Sequence, residues 1–236
     1  QEDLRRLHRE RERLLKERNG LGSRIGSLLA LHGVRLALHG DFEQQLQRAR
    51  CWDGQPLPAQ LAAEIARMWA RRQLICQQLV GLERHRCRQV ADPQNESTAE
   101  MRNLMRLRCM GINTPWVLCS EILGWREIKN RRQLGALAGL TPTPYASGSS
   151  EREQGIGKDG NRRVRTTMVE IAWDWLRLQP ASELSQWYMR RFGNTGSKRS
   201  KRIGIVALAR KLLVALWRYL HDGVMPAGAV FKAVKV

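Results

Sequence analysis

Residues 4–28 read LRRLHRERERLLKERNGLGSRIGSL, with leucine at every seventh position (Leu7, Leu14, Leu21, Leu28) and Leu4, Arg11, Arg18 and Ile25 in the alternate seam positions. That spacing predicts an amphipathic helix whose apolar stripe needs a partner. Two arginines in the seam, with Gly20 and Gly22, weaken it, because a seam charge and a helical glycine each cost stability. After the Gly, Trp and Pro-rich stretch 51–58, the residues Leu61, Ile65, Met68, Ile75, Leu79 and Leu82 recur at three-four spacing and offer that partner. The pair predicts an antiparallel helical hairpin. So few heptads leave two pairings open, one within the chain and one between copies through a dimerisation arm. Residues 1–91 are thus expected to form a coiled-coil helical linker or dimerisation region.

The polar residues 92–98, with Pro93, Asn95 and Ser97, are expected to form a linker before a second domain at 99–236. This domain should open with a helix at 99–108, the turn Gly111-Ile112-Asn113 and an apolar helix at 115–123. The spacing resembles a helix-hairpin-helix, in which turn backbone N–H groups face a DNA phosphate, so Gly111 and Asn113 are candidate phosphate-turn residues. An ordinary packing corner has the same outline. A short helix starting at Arg131 should end near Gly139, and Thr141 to Gly160 reads as a long polar loop. Val164, Met168, Ile171, Ala172, Trp175 and Leu178 then mark one face of a further helix. With little period-two alternation anywhere, the fold class expected is mainly α, a helical hairpin followed by a compact helical domain with a helix-hairpin-helix-like element.

Composition narrows the partner. The 236 residues carry 41 Lys plus Arg against 22 Asp plus Glu, a net charge of +19, which excludes the profile of an ordinary metabolic enzyme and points to a polyanion. Apolar residues make up 42%, enough for a core rather than a disordered basic tail. No apolar run approaches the ~18 residues of a spanning helix and no signal peptide is evident, so a soluble, cytoplasmic protein without membrane partners is expected. The five cysteines are scattered without a C-x-x-C pair, the histidines lie far apart, and the acids of the first domain alternate with arginines, so no metal site is expected in this chain. The chain starts at Gln1 within a helical pattern and its first methionine is Met68, so it reads as a fragment.

Between Glu183 and Asp222 there is no acid but nine cations, among them Arg190, Arg191, Lys198, Arg199, Lys201 and Arg202, which are candidates for a DNA or RNA backbone. Arg162, Arg163 and Arg165 at a helix start, with Lys158 before them, are candidate phosphate contacts. Trp173, Trp175, Trp187 and Trp217 sit at helical spacing beside leucines and are expected in the core. Ser147, Ser149 and Ser150 flank Gly148 near Arg152 and Lys158, a setting in which a serine nucleophile gains cationic company, although such a stretch is far more often a flexible loop.

Three segments carry a family resemblance: LGALAGLTP at 134–142 with Ser147-Gly148, GIGKDGNRRVR at 155–165, and AWDWL at 172–176 with IVALARKLL at 205–213. Together they resemble the bacterial insertion-sequence transposases of the one-ten and eleven-eleven group, the bridge-RNA-guided recombinases. The resemblance implies an amino-terminal RuvC-like domain with four acids holding divalent metal such as magnesium, which would lie before Gln1. It further implies a coiled-coil segment and a carboxy-terminal domain whose serine, here Ser147, attacks a DNA phosphodiester to form a phosphoserine link while a structured guide RNA chooses the site. DNA, guide RNA and further copies of the chain are the partners implied. The alternative is a non-catalytic nucleic-acid-binding helical module in which Ser147 is merely loop.

Overall fold

The computed structural model describes residues 2–147, 150–157, 159–193 and 197–233, with the backbone alone at 143–147 and 150–154. The described fold is mainly α, and the chain divides into two compact units, Arg6–Arg88 and a larger one formed by Gln89–Val236 with Gln1–Arg5.

In the smaller unit, helix α1 (Glu2–Ala30) and helix α3 (Ala59–Ala91) run antiparallel: Arg11 pairs with Glu83 late in α3, whereas Arg24 pairs with Glu64 early in it at 3.2 Å. The heptad stripe therefore finds a partner within the chain. Of the expected seam, Leu4 and Ile25 are buried and Leu7, Leu14, Leu21 and Leu28 half-buried, while His8 and Leu29, one residue beyond the leucine repeat, are buried as well. A core gathers where the helices meet the connecting segment, with Ile25 and Leu29 against Ile65, Met68 and Trp69, and Phe42 and Leu46 of helix α2 (Phe42–Arg48) beneath. The Phe42 and Trp69 rings lie 4.5 Å apart. Further along, fully buried Arg86 donates to Glu83 at 3.0 Å, so one carboxylate serves two guanidinium groups, Arg86 and Arg11.

The larger unit strings together α4 (Ala99–Met105), α5 (Asn113–Leu118) prolonged by a π turn (Cys119–Leu123), α6 (Arg131–Ala138), a ribbon of β1 (Pro142–Ser147) and β2 (Ser150–Ile156), α7 (Arg162–Leu178), α8 (Glu183–Tyr188) prolonged by a second π turn (Met189–Gly193), and α9 (Lys198–Asp222). Helix α9 touches α4, α6, α7 and α8, and its Leu208, Leu212 and Leu216 complete a core with Trp116, Leu134, Met168 and Trp175. The opening turn of α1 is anchored here too, since Trp116 Nε1 donates to the Leu4 carbonyl at 2.9 Å and Arg5 lies over the Trp125 ring.

Three expectations change. Residues 141–160 are not one long loop: β1 and β2 pair antiparallel from Pro142 with Ile156 to Ser147 with Ser150. Period-two reading detects strands with one apolar face, and this two-stranded ribbon has no such alternation. The segment 92–98 is no plain linker, because Arg102 gathers the carbonyls of Asp92 at 2.7 Å and Asn95 at 3.1 Å while buried Thr98 donates to the Gln89 carbonyl. The turn between α4 and α5 does not bend at Gly111 or Asn113. Its left-handed residue is Cys109, Asn113 is already helical, and residues 230–232 bridge the turn through Arg108 N to Val230 O and Lys232 N to Arg106 O.

We expect Glu83→Ala to cost about 1–3 kcal/mol, because a buried arginine loses a charged acceptor. Urea unfolding monitored by circular dichroism checks this, and an unchanged midpoint rejects the role given to Glu83.

Candidate nucleic-acid interface

Helix α6 starts on Asn130, whose side chain accepts from Arg132 N at 3.0 Å and Gln133 N at 2.9 Å, and it stops on Gly139 in the left-handed region at φ +65. There the chain crosses itself. A Cβ on Gly160 would meet the Gly139 nitrogen and stand 2.6 Å from the carbonyls of Ala136 and Leu137, so these backbones touch only because both residues lack side chains. Two hydrogen bonds stitch the crossing: Asn161 N to Leu137 O and Gly157 N to Thr141 O, each 2.7 Å. Both feet of the β ribbon are thereby fixed to the end of α6.

Asn161 then does two tasks. Its carbonyl oxygen caps α7, accepting from Arg163 N at 3.0 Å and Val164 N at 3.2 Å, while its amide donates at 2.9 Å to Glu121, a buried carboxylate of the first π turn. The tie to Glu121 lies 40 residues away in the chain and no spacing announces it.

Ser147 ends β1 opposite Ser150, and its side chain lies outside the described residues, as does Lys158 altogether. Of the three arginines at the start of α7, Arg162 is exposed and Arg163 half-buried, whereas Arg165 turns back to the Gly160 carbonyl at 3.5 Å beside Gly139. Arg165 therefore braces the crossing. Arg190, Arg191 and Lys198 are exposed, and Lys201 borders a small hollow with Trp173, Met189 and Phe192.

Arg199 and Arg202 belong to a larger feature. They line a groove of about 1190 Å³ between α6, α8, α9, the ribbon feet and residues 224–227. Its aliphatic lining comprises Leu140, Ile203, Val206, Ala207, Val214 and Ala215, and its remaining cations are Arg131, Arg132, Arg210, Lys211 and Arg218 against one carboxylate, Glu183. Lys211 Nζ sits 4.6 Å above the Trp187 ring. Among the described residues none of these seven cations is held in an ion pair, so their field falls on whatever enters. Sequence reasoning counted Arg210, Lys211 and Arg218 in the basic run without placing them, and read Arg131 and Arg132 only as a helix start. The available signal was α9 itself, apolar on two faces at once: Leu208, Leu212 and Leu216 inward, Ile203, Val206 and Val214 toward the groove. Of the four tryptophans expected inside, Trp175 is buried with Nε1 on Ser182 Oγ at 2.8 Å, Trp187 and Trp217 are half-buried, and Trp173 is 48% exposed.

Among the described residues no cluster of three or more His, Cys, Asp or Glu side chains fits a metal ion, and no helix is long and apolar enough to cross a membrane.

The sequence profile described as the transposase IS116/IS110/IS902 family matches residues 101–186. The y4rJ protein of Sinorhizobium fredii is 42% identical over 98% of this chain and 61% of its own length. The transposase for insertion sequence element IS1328 of Yersinia enterocolitica is 25% identical over 92% of this chain and 62% of its own. For the IS1111A transposase of Coxiella burnetii the identity is 26%, over 93% and 59%. The chain spans about three-fifths of the length of these relatives.

Gly160→Ala should destabilise the larger unit by about 1–3 kcal/mol through overpacking against fixed carbonyls. Asn161→Ala should cost about 1 kcal/mol for the lost cap, with more for the lost hydrogen bond to buried Glu121. Thermal melts of both variants check the crossing, and a Gly160→Ala protein as stable as wild type rules it out as a constraint.

Proposed function

We propose, from its similarity to the IS116/IS110/IS902 transposase family, that this chain is the part of a DNA transposase that grips nucleic acid and presents Ser147 to a phosphodiester. The observation that carries the reading is the ribbon: its feet are pinned at the glycine crossing and line the cationic groove, and Ser147 ends its first strand. A strand rises ~3.4 Å per residue, so Ser147 lies within ~17 Å of Pro142 at the groove's edge, close enough for one nucleic-acid substrate to meet both.

In the proposed step the seryl oxygen forms a bond to phosphorus while a P–O bond to one deoxyribose breaks, and the serine proton passes to the departing oxygen. The product is a phosphoserine DNA link and a free hydroxyl end. Cations stabilise the charge spread over the non-bridging oxygens, and Arg162, exposed at the start of α7, is one such group. Lys158, Arg163, Arg190, Arg191, Lys198, Arg199, Lys201 and Arg202 contribute backbone affinity in this reading. A guide RNA shares the basic surface, divalent metal is held by acids outside this chain, and copies associate through the helical hairpin, where Leu74 and Val80 of α3 are exposed.

The test uses the whole transposase with suicide DNA substrates and element-encoded RNA. Wild type should yield a covalent adduct that mass spectrometry locates at Ser147, in particles heavier than one copy by mass photometry, and Ser147→Ala should bind DNA nearly as well yet yield none. Adduct at wild-type level in Ser147→Ala overturns the nucleophile. Affinity should also fall about 10³-fold between 50 and 200 mM salt where several phosphates are engaged, and a flat response removes the basic surface from the account.

A further inference from the structure

The groove's aliphatic side chains are buried or half-buried apart from exposed Ile203, its cations are exposed apart from half-buried Arg210, and duplex DNA does not match that combination. A duplex turns its base faces inward and offers a surface of phosphates and sugar edges, so laying one along the rim leaves Ile203, Val206 and Val214 wet. A single strand offers both chemistries, since its phosphates line one side and its unpaired base faces are apolar. We propose that this groove holds one unpaired nucleic-acid strand, with phosphates on the arginine rim and bases on the aliphatic floor of α9. The inference rests on the reading that the chain handles nucleic acid and specifies which form it takes and where.

Three further observations agree. Ile203 is 57% exposed on a helix whose opposite face is already fully packed, so its apolar surface serves no core. From Arg199 to Arg218 the helix advances ~28 Å, room for about four nucleotides or more in the range that single-strand grooves accommodate. The ribbon feet, Pro142, Gly155 and Ile156, form one end of the same wall, so a strand lying there leads toward the segment that carries Ser147. An acidic amphipathic peptide would meet the same floor, but the excess of rim cations over the single carboxylate Glu183 suits a phosphate at every repeat of the ligand better than occasional carboxylates.

The experiment is fluorescence anisotropy on the full chain with a labelled twelve-nucleotide DNA strand, the RNA strand of equivalent sequence, and the DNA duplex. Single strands should bind at least tenfold more tightly than duplex. Ile203→Gln, a neutral polar change at an exposed position, should lower single-strand affinity at least tenfold and change duplex affinity less than twofold. Val214→Asn should act in the same direction if the first variant proves unstable. Preference for the DNA or the RNA arm identifies the source of the strand and supports the groove assignment either way. Duplex bound as tightly as single strand, or single-strand affinity indifferent to both floor variants, overturns it while leaving the general reading standing. Capture of an acidic amphipathic peptide in place of the strands also overturns it. Failure of all three nucleic acids to bind removes the parent reading as well.

Discussion

Two residues without side chains, Gly139 and Gly160, let the end of α6 and the start of α7 pass in backbone contact, and the rest of the larger unit is arranged around that contact. Because the crossing is made of main chain, it has no rotamers to exchange and tolerates little displacement. The hydrogen bonds from Asn161 and Gly157 convert it into a fixed base for the β ribbon. Asn161 extends the same rigidity outward, to α7 through its cap and to the first π turn through Glu121. A ribbon of two polar strands has little stability of its own. Its position is inherited from the crossing.

The charge on α9 follows a different logic. Self-repulsion of cations along one helix is unfavourable, and the usual remedy is a carboxylate three or four residues away. The hairpin unit applies that remedy with Glu83 between Arg11 and Arg86, and with Glu64 opposite Arg24. The groove rim does not. Stability is kept instead by the buried leucines on the inner face of α9, so the outer face retains cations whose field is available to a ligand. The two cases differ in use: paired charge holds helices together in the hairpin, and the groove keeps cations outside any ion pair among the described residues.

Much of this was legible in the sequence, and the failures share a cause. Helices with strong periodicity, α1, α3 and α7, were readable because a buried stripe at three-four spacing is a local pattern. In α1 the expected seam positions Leu4 and Ile25 are buried, but the leucine repeat did not show that packing also buries His8 and Leu29, each one residue beyond a repeat leucine. The ribbon was missed because its pairing is stabilised from its feet rather than by an apolar face. The groove was half seen: charge counting found the cations of α9, but the floor needs α6 and residues 224–227 brought alongside, and no local signal reports that. Gly111 drew attention for its freedom, yet the strained position in that turn is Cys109, fixed by a bridge to the carboxy-terminal residues.

The same comparison reassigns the arginines that resemblance and charge had grouped together. Arg165 shares its guanidinium with the Gly160 carbonyl and stands against Gly139, so any phosphate it met would compete with the contact that positions the ribbon. Its most economical role is structural, and a phosphate near the ribbon would fall to Arg162, exposed one turn earlier on the same helix. A helix start adds its own field there, with N–H groups not all consumed by the Asn161 cap. Anchoring and binding are thus divided between neighbours three residues apart, which lets the crossing stay rigid while the surface beside it remains open to an anion.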